Sequence, residues 1–260
     1  MRRVWIFGQK EMLELIRSYK LAWIPVVFII LGIMQPLSTY YMPQILEASG
    51  NVPPALLESY EMPSAAATMA QALGQYGTMG LLVLVLAGMN TLAGERFSGT
   101  AELILVRPVS VFTIVTAKWI AQLLLLIVCL GLGAAAAGYY TEQLIGDLSW
   151  KLLLSSAGLY GLWLLCIQSL TLLFSAFLRG PVAAFMALLS AAVLSIVYSF
   201  LPSWFEWTPA GLPSYSAKVL TETEGALGAG LIGPLVSAGV LILLCITGAA
   251  LVTGRKNLIS

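Results

Sequence analysis

Long stretches without a single charged residue alternate along this chain with short segments in which the charges gather. Residues 21–46, 62–94, 119–141, 152–178, 180–205 and 225–254 each carry no Asp, Glu, Lys or Arg. A helix rises about 1.5 Å per residue, so about 20 apolar residues span the roughly 30 Å hydrocarbon layer of a bilayer, and every run reaches that length. Arg, Lys or Asp at the centre of such a helix costs about 2.5–3.5 kcal/mol, which explains why charge is kept out of each run. The pattern predicts an all-α integral membrane protein with six transmembrane helices, near 21–40, 74–93, 114–138, 152–176, 181–201 and 231–252. Pro36, Pro202 and the glycines near 225–233 blur the helix ends.

The first twenty residues follow a different period. At 100° per residue, Val4, Trp5, Met12, Leu15, Ile16 and Tyr19 fall on one side of a helix, opposite Arg3, Lys10, Glu11, Glu14 and Arg17. Such a pattern suits an amphipathic helix lying in the membrane surface, although Ile6 and Phe7 stand off the apolar arc. Between the first two spans, Pro43, Pro53, Pro54 and Pro63 break the segment 41–73 into pieces, and its Ala-rich part from Ser64 to Leu73 suits a short helix. The segment 202–230 holds Trp204, Phe205, Trp207 and Tyr215 among Pro202, Pro209 and Pro213, a composition of the membrane interface that suits broken short helices dipping into the bilayer.

Small residues at Gly131, Gly133 and Ala134 to Gly138, and again at Gly248 to Ala250, favour close approach of neighbouring helices. Asn90, Gln122 and Gln168 are the polar residues expected at depth or near a span end, where interhelical hydrogen bonding is their ordinary use.

Composition agrees with this picture: 59% of the residues are hydrophobic and 10% charged, against about a quarter charged in soluble domains. With the N-terminus inside, Arg2, Arg3, Lys10, Arg17, Lys20, Arg96, Arg107, Lys118, Arg179, Arg255 and Lys256 are cytoplasmic, and only Lys151 and Lys218 are outside. Eleven basic residues against two give a strong positive-inside bias, which places both termini in the cytoplasm. The basic residues are thereby explained by topology and do not call for a nucleic-acid partner. A cleaved signal peptide does not fit, because no small-residue cleavage site follows the first apolar run.

Cys129, Cys166 and Cys245 all fall inside predicted spans and read as small apolar packing residues. The chain has no histidine, and its one intact candidate for aspartate chemistry, Asp147, lies outside the spans. A zinc or haem site, or an intramembrane protease, has little to be built from, and no catalytic, metal or cofactor residues are assigned.

The most informative charged segment is Gly94 to Lys118, G-E-R-F-S-G-T-A-E-L-I-L-V-R-P-V-S-V-F-T-I-V-T-A-K. Gly94 suits the end of the second span, and Ser98, Gly99 and Thr100 suit the start of a short helix over Thr100 to Val106 with Glu102 in its first turn. Pro108 restricts Arg107 away from helical geometry and ends it. Ser110 then caps the third span, with Lys118 two turns in and able to snorkel towards the headgroups. Gly94 to Thr100 matches the outline G-x-x-x-x-G-T of a phosphate-binding loop, but the essential lysine is missing and no strand precedes it. This chain therefore does not bind ATP by that motif.

The run E-R-F-S-G-T-A-E-L-I-L-V-R-P-V-S followed by Lys118 resembles the cytoplasmic loop of ABC-2 type permeases, the six-span membrane subunits of one class of ABC transporter. The resemblance extends to the amphipathic N-terminal stretch with Lys10, Glu11 and Arg17, to the six spans, and to the interrupted last external segment, so it covers essentially the whole chain. It implies that residues 1–20 are the family's connecting helix, 21–254 the permease domain with a coupling loop at 94–113, and 255–260 a cytoplasmic tail. Glu95, Arg96, Gly99, Thr100, Glu102, Arg107 and Pro108 would form or shape a coupling helix that docks on a cytosolic ABC ATPase subunit.

By the same resemblance, ATP and Mg would be bound by that partner, two permease chains, identical or sisters, would assemble in a prokaryotic cytoplasmic membrane, and membrane lipids would surround them. Export of an unidentified substrate is favoured over import. A channel, receptor or sensor without an ATPase partner is the alternative; such proteins usually show a ring-forming polar motif in a span, and none stands out here.

Overall fold

The computed structural model describes residues 2–49, 61–97, 110–221 and 229–256. Every regular element among them is helical: α1 (Arg2–Arg17), α2 (Lys20–Ser49), α3 (Ala65–Gln75), α4 (Leu81–Gly88), α5 (Ala93–Phe97), α6 (Val111–Leu144), α7 (Trp150–Ser175), α8 (Gly180–Phe200), α9 (Leu212–Thr221) and α10 (Ile232–Lys256). Among the described residues, six stretches are long and apolar enough to cross a membrane: Lys20–Ala48, Ala65–Phe97, Val111–Leu144, Trp150–Ser175, Gly180–Phe200 and Ile232–Gly254. They coincide in number and order with the six charge-free runs. The chain is therefore a multi-pass membrane protein.

The boundaries differ from expectation in instructive ways. The first span continues to Ser49 through Pro25, Pro36 and Pro43, all inside α2. Proline removes a backbone donor, and membrane helices tolerate this because neighbouring groups and local adjustments satisfy the freed carbonyls. The Ala-rich stretch after Ser64 does form a helix, with the Ser64 side chain accepting from the Ala67 amide, but it is the beginning of the second span and not a separate external piece. A single wide turn over Tyr76–Gly80, with the backbone bonding of a π-helix, joins α3 to α4.

At the other end, Gly94 does not stop the helix. Its N–H donates to Asn90 O over 2.8 Å, and it lies within α5 after a brief irregularity at residues 89–92. Ser110 caps α6 as expected, its hydroxyl accepting from the Thr113 amide.

The centre of the bundle is α7, whose most apolar window is 61% buried, followed by α6 at 50%; the first, fifth and sixth spans are 28% buried and form the periphery. Glycine makes the closest approach, between α2 and α6. A Cβ placed on Gly133 would meet the Tyr76 hydroxyl at 2.6 Å and the Phe28 carbonyl oxygen at 2.9 Å. The same contact explains the buried Tyr76: its ring stacks on Phe28 at 5.0 Å between centroids, and its hydroxyl donates to Phe28 O over 3.2 Å. Gly131, two residues away, has open space where a Cβ would go, so the small residues of this stretch are not equivalent. Gly248 of α10 approaches Leu173 of α7, the close contact expected of the second small-residue stretch.

Beyond the fifth span, the aromatic segment is interrupted as expected. A short tight turn at Pro209–Gly211 leads into α9, which packs against α7. There Ser156 and Ser216 exchange bonds, each hydroxyl donating to the other residue's carbonyl over 2.7 and 2.9 Å. Ser156 sits nearly two turns inside α7, so α9 reaches alongside the bundle and does not merely cap it.

Candidate functional site

The elements that bracket the charged segment converge at one end of the bundle. α5 closes the second span and carries Glu95 and Arg96; α6 opens the third and carries Lys118 two turns in; α1 lies across both. Helical spacing puts Lys10 and Glu14 on one side of α1, where the ammonium lies 3.7 Å from the carboxylate, with Glu11 beside them. Both sides of α1 contribute to its contact with the bundle, Glu11 from the polar side and Leu15, packed against the core, from the apolar one. Glu11 is buried, whereas Leu13 and Ile16 are more than half exposed on the outward side. The exposed Leu13 and Ile16 suit contact with lipid.

Lys118 Nζ lies 3.1 Å from both Glu11 carboxylate oxygens and 2.9 Å from Glu95 Oε1. Lys10 Nζ reaches the same Glu95 oxygen at 2.8 Å and Glu11 Oε1 at 3.1 Å. The expectation that Lys118 snorkels to the headgroups is overturned: its side chain is 1% exposed and points into this junction. Desolvating an ammonium costs several kcal/mol, and only well-placed charged partners offset it. Here two carboxylates occupy its donor directions, which is why the side chain need not reach water. Burial alone would favour neutral Lys10, but the hydrogen bond and charge of Glu95, together with Glu11, outweigh that effect and hold its pKa above the ordinary lysine value.

The three carboxylates of Glu11, Glu14 and Glu95 come within 4.8 Å of one another. The Lys10 and Lys118 ammoniums already lie among them and occupy the carboxylate oxygens that a metal ion would need.

Arg96 points away from this junction. Its Nη1 donates to Ala176 O over 2.6 Å, satisfying a carbonyl at the C-terminal end of α7, and its guanidinium sits 5.4 Å over the Phe97 ring. Arg179 approaches the same ring at 5.5 Å. Glu95 and Arg96, neighbours in sequence, thus tie the end of the second span in two directions, to α1 and α6 and to the end of α7. Of the other residues expected in the coupling element, Gly99, Thr100, Glu102, Arg107 and Pro108 lie outside the described residues, as does the helix expected over Thr100 to Val106.

The sequence places Lys10, Glu11 and Glu14 on the polar face of the N-terminal helix, and only the fold brings them to Glu95 and Lys118. The readable signal was complementarity: a Lys-Glu-x-x-Glu face in α1 matches a Glu and a Lys that flank the charged segment.

Behind the ion pairs lies a partly open cavity of about 80 Å³, bounded by α1, α2, α4, α6 and α7. Lys20 donates to Ala87 O over 2.8 Å on one wall. Of the three polar residues expected at depth, Gln122 bonds across helices, its Nε2 donating to Thr91 Oγ1 over 2.9 Å. Asn90 lies against Gly180 of α8. Gln168 is buried on the far wall, with its side-chain oxygen unpartnered.

The family model of the ABC-2 family transporter protein matches residues 5–210, most of the chain and all of the elements that build the junction. The chain is also 36% identical over 220 residues, covering 84% of its own length and 85% of the relative's, to the uncharacterized transmembrane protein YxlG of Bacillus subtilis (strain 168).

Proposed function

Because the chain belongs to the ABC-2 transporter family, and is thus a membrane component of an ABC transporter, we propose that it is the permease subunit of an ATP-driven exporter whose ATP is hydrolysed by a separate cytosolic subunit. In this reading both termini and the segment 94–113 are cytoplasmic, in accord with the basic-residue bias. Glu95, Arg96, Gly99, Thr100, Glu102, Arg107 and Pro108 form or shape the coupling element on which the ATPase docks, and two permease chains pair in the cell membrane. ATP and Mg belong to the partner.

The observation that supports this most directly is the contact between Glu95 and Lys118 at 2.9 Å. These residues flank the proposed docking segment on either side, one closing the second span and the other in the third. A push on the segment is therefore delivered to two spans joined at its root, and through Glu11 to α1 as well.

The test is co-purification with a cytosolic ABC ATPase subunit. Reversing Glu102→Lys and Arg107→Glu together is expected to abolish stable assembly and the coupled ATPase activity, while membrane insertion is unchanged. Survival of both assembly and coupled activity in that variant would sink the docking assignment, and absence of any ATPase partner for the wild-type chain would favour a channel, receptor or sensor.

A further inference from the structure

We propose that the cavity behind the ionic junction is a hydrated site, in which ordered water bridges Gln122 of the third span to Gln168 of the fourth. Gln122 and Gln168 are 5% and 2% exposed, both line the cavity, and the Oε1 atom of each has no protein partner. For Gln122 the amide orientation is set by its neighbour. The Thr91 hydroxyl spends its single proton on Gly88 O at 2.7 Å, so Thr91 Oγ1 must accept, and the Gln122 NH₂ must face it. The Gln122 oxygen is then left without a donor.

A buried acceptor with no donor costs about 1–3 kcal/mol. Both residues border one cavity, where a donor for these oxygens can sit. The volume of about 80 Å³ exceeds the roughly 10–15 Å³ that one water needs.

Water fits better than a cation. The wall contributes Glu11 and Glu14 against Lys20 and Lys118, so its formal charge already balances, and an added positive ion would be uncompensated. Water also supplies both donors and acceptors, which suits a wall carrying amide oxygens, a threonine hydroxyl and lysine ammoniums together. The consequence is a hydrogen-bonded unit of Thr91, Gln122 and Gln168, which links the second, third and fourth spans beside the Glu11–Lys118 pair. This inference concerns the chain's own interior and does not depend on the ATPase assignment.

The experiment is radiolytic hydroxyl-radical footprinting of the full-length chain in lipid nanodiscs, where radicals formed from trapped water label the nearest side chains. Leu125 lines the cavity and is 2% exposed, while Leu84 and Leu164, at 2% and 1%, do not line it. Leu125 is expected to be labelled severalfold faster than Leu84 and Leu164, and this excess is expected to vanish in the Gln122→Leu, Gln168→Leu variant. Equal labelling of the three leucines in the wild type overturns the proposal without need of any variant. Labelling of Leu125 that disappears when sodium, potassium or ammonium ions are added would overturn it too, by assigning the site to a cation.

Discussion

Removing the Lys118 ammonium is the sharpest perturbation of the junction. In Lys118→Met the side chain keeps its length and apolar stem, but Glu11 and Glu95 lose a partner at 3.1 and 2.9 Å. Breaking a buried pair by deleting one member costs about 3–5 kcal/mol, because the surviving charge is left in a poorly solvated place. Lys10 still touches both carboxylates, so the lower end applies, about 3 kcal/mol.

Lys10 itself is 45% exposed, and Lys10→Met is expected to cost under about 1 kcal/mol, since water screens a pair of that kind. At about 2–4 °C per kcal/mol for a chain of this size, the two variants should differ clearly: a fall of roughly 6–12 °C for Lys118→Met and less than about 4 °C for Lys10→Met. The assay is thermal unfolding of purified protein in nanodiscs, followed by intrinsic tryptophan fluorescence. Adding Glu11→Gln to Lys118→Met removes one of the stranded charges and is expected to recover much of the loss. If Lys118→Met proved no more damaging than Lys10→Met, or if Glu11→Gln gave no recovery, the junction would not be the charge-balanced anchor described here.

Three other outcomes follow from packing and capping. Gly133→Ala is expected to destabilise by about 1–3 kcal/mol, because its Cβ meets the Phe28 backbone, whereas Gly131→Ala in the same helix meets nothing and should be neutral or slightly stabilising; thermal unfolding of the pair decides it. Ser110→Ala removes the cap of α6 and is expected to cost about 1 kcal/mol, with faster amide exchange confined to the first turn of that helix. Tyr76→Phe deletes the hydroxyl that donates to Phe28 O and is expected to cost about 1 kcal/mol, without the larger loss expected of Tyr76→Ala.

The six spans were legible because lipid imposes one rule on every residue of a crossing helix, and charge-free length reports it without regard to partners. Their ends were less so. Pro36 and Pro43 read as breaks by the rules of helices in water, yet they continue α2, whereas Gly94 read as a stop and lies within α5. Both errors have one origin: local propensity is weak beside the packing of neighbouring helices.

The junction was half legible. Glu95, Arg96 and Lys118 stood out as charges beside apolar runs, but nothing local tells Lys118 to meet Glu11, which is 107 residues away. Snorkelling is the sound expectation for a lysine two turns inside a membrane helix considered alone. It fails here because the partner acids lie on other elements. The serine cap at Ser110 was fully readable, since donor and acceptor are only three residues apart.

The wide turn at Tyr76–Gly80 has a consequence for how the second span tolerates change in length. A turn with π-helix bonding holds about one residue more than an α-helical turn, and one residue is about 100° of rotation. The two halves of the span are therefore out of phase with a single continuous helix, and α3 and α4 each keep their own buried stripe, Ala65, Met69, Ala72 and Leu73 in one and Leu81, Leu84 and Val85 in the other. Deleting one residue within the turn would convert it to ordinary helix and rotate one stripe off its partners. The extra residue acts as a phase adjuster, letting the half that holds the stacked Tyr76 and the half that leads to Glu95 answer to different neighbours within one crossing of the membrane.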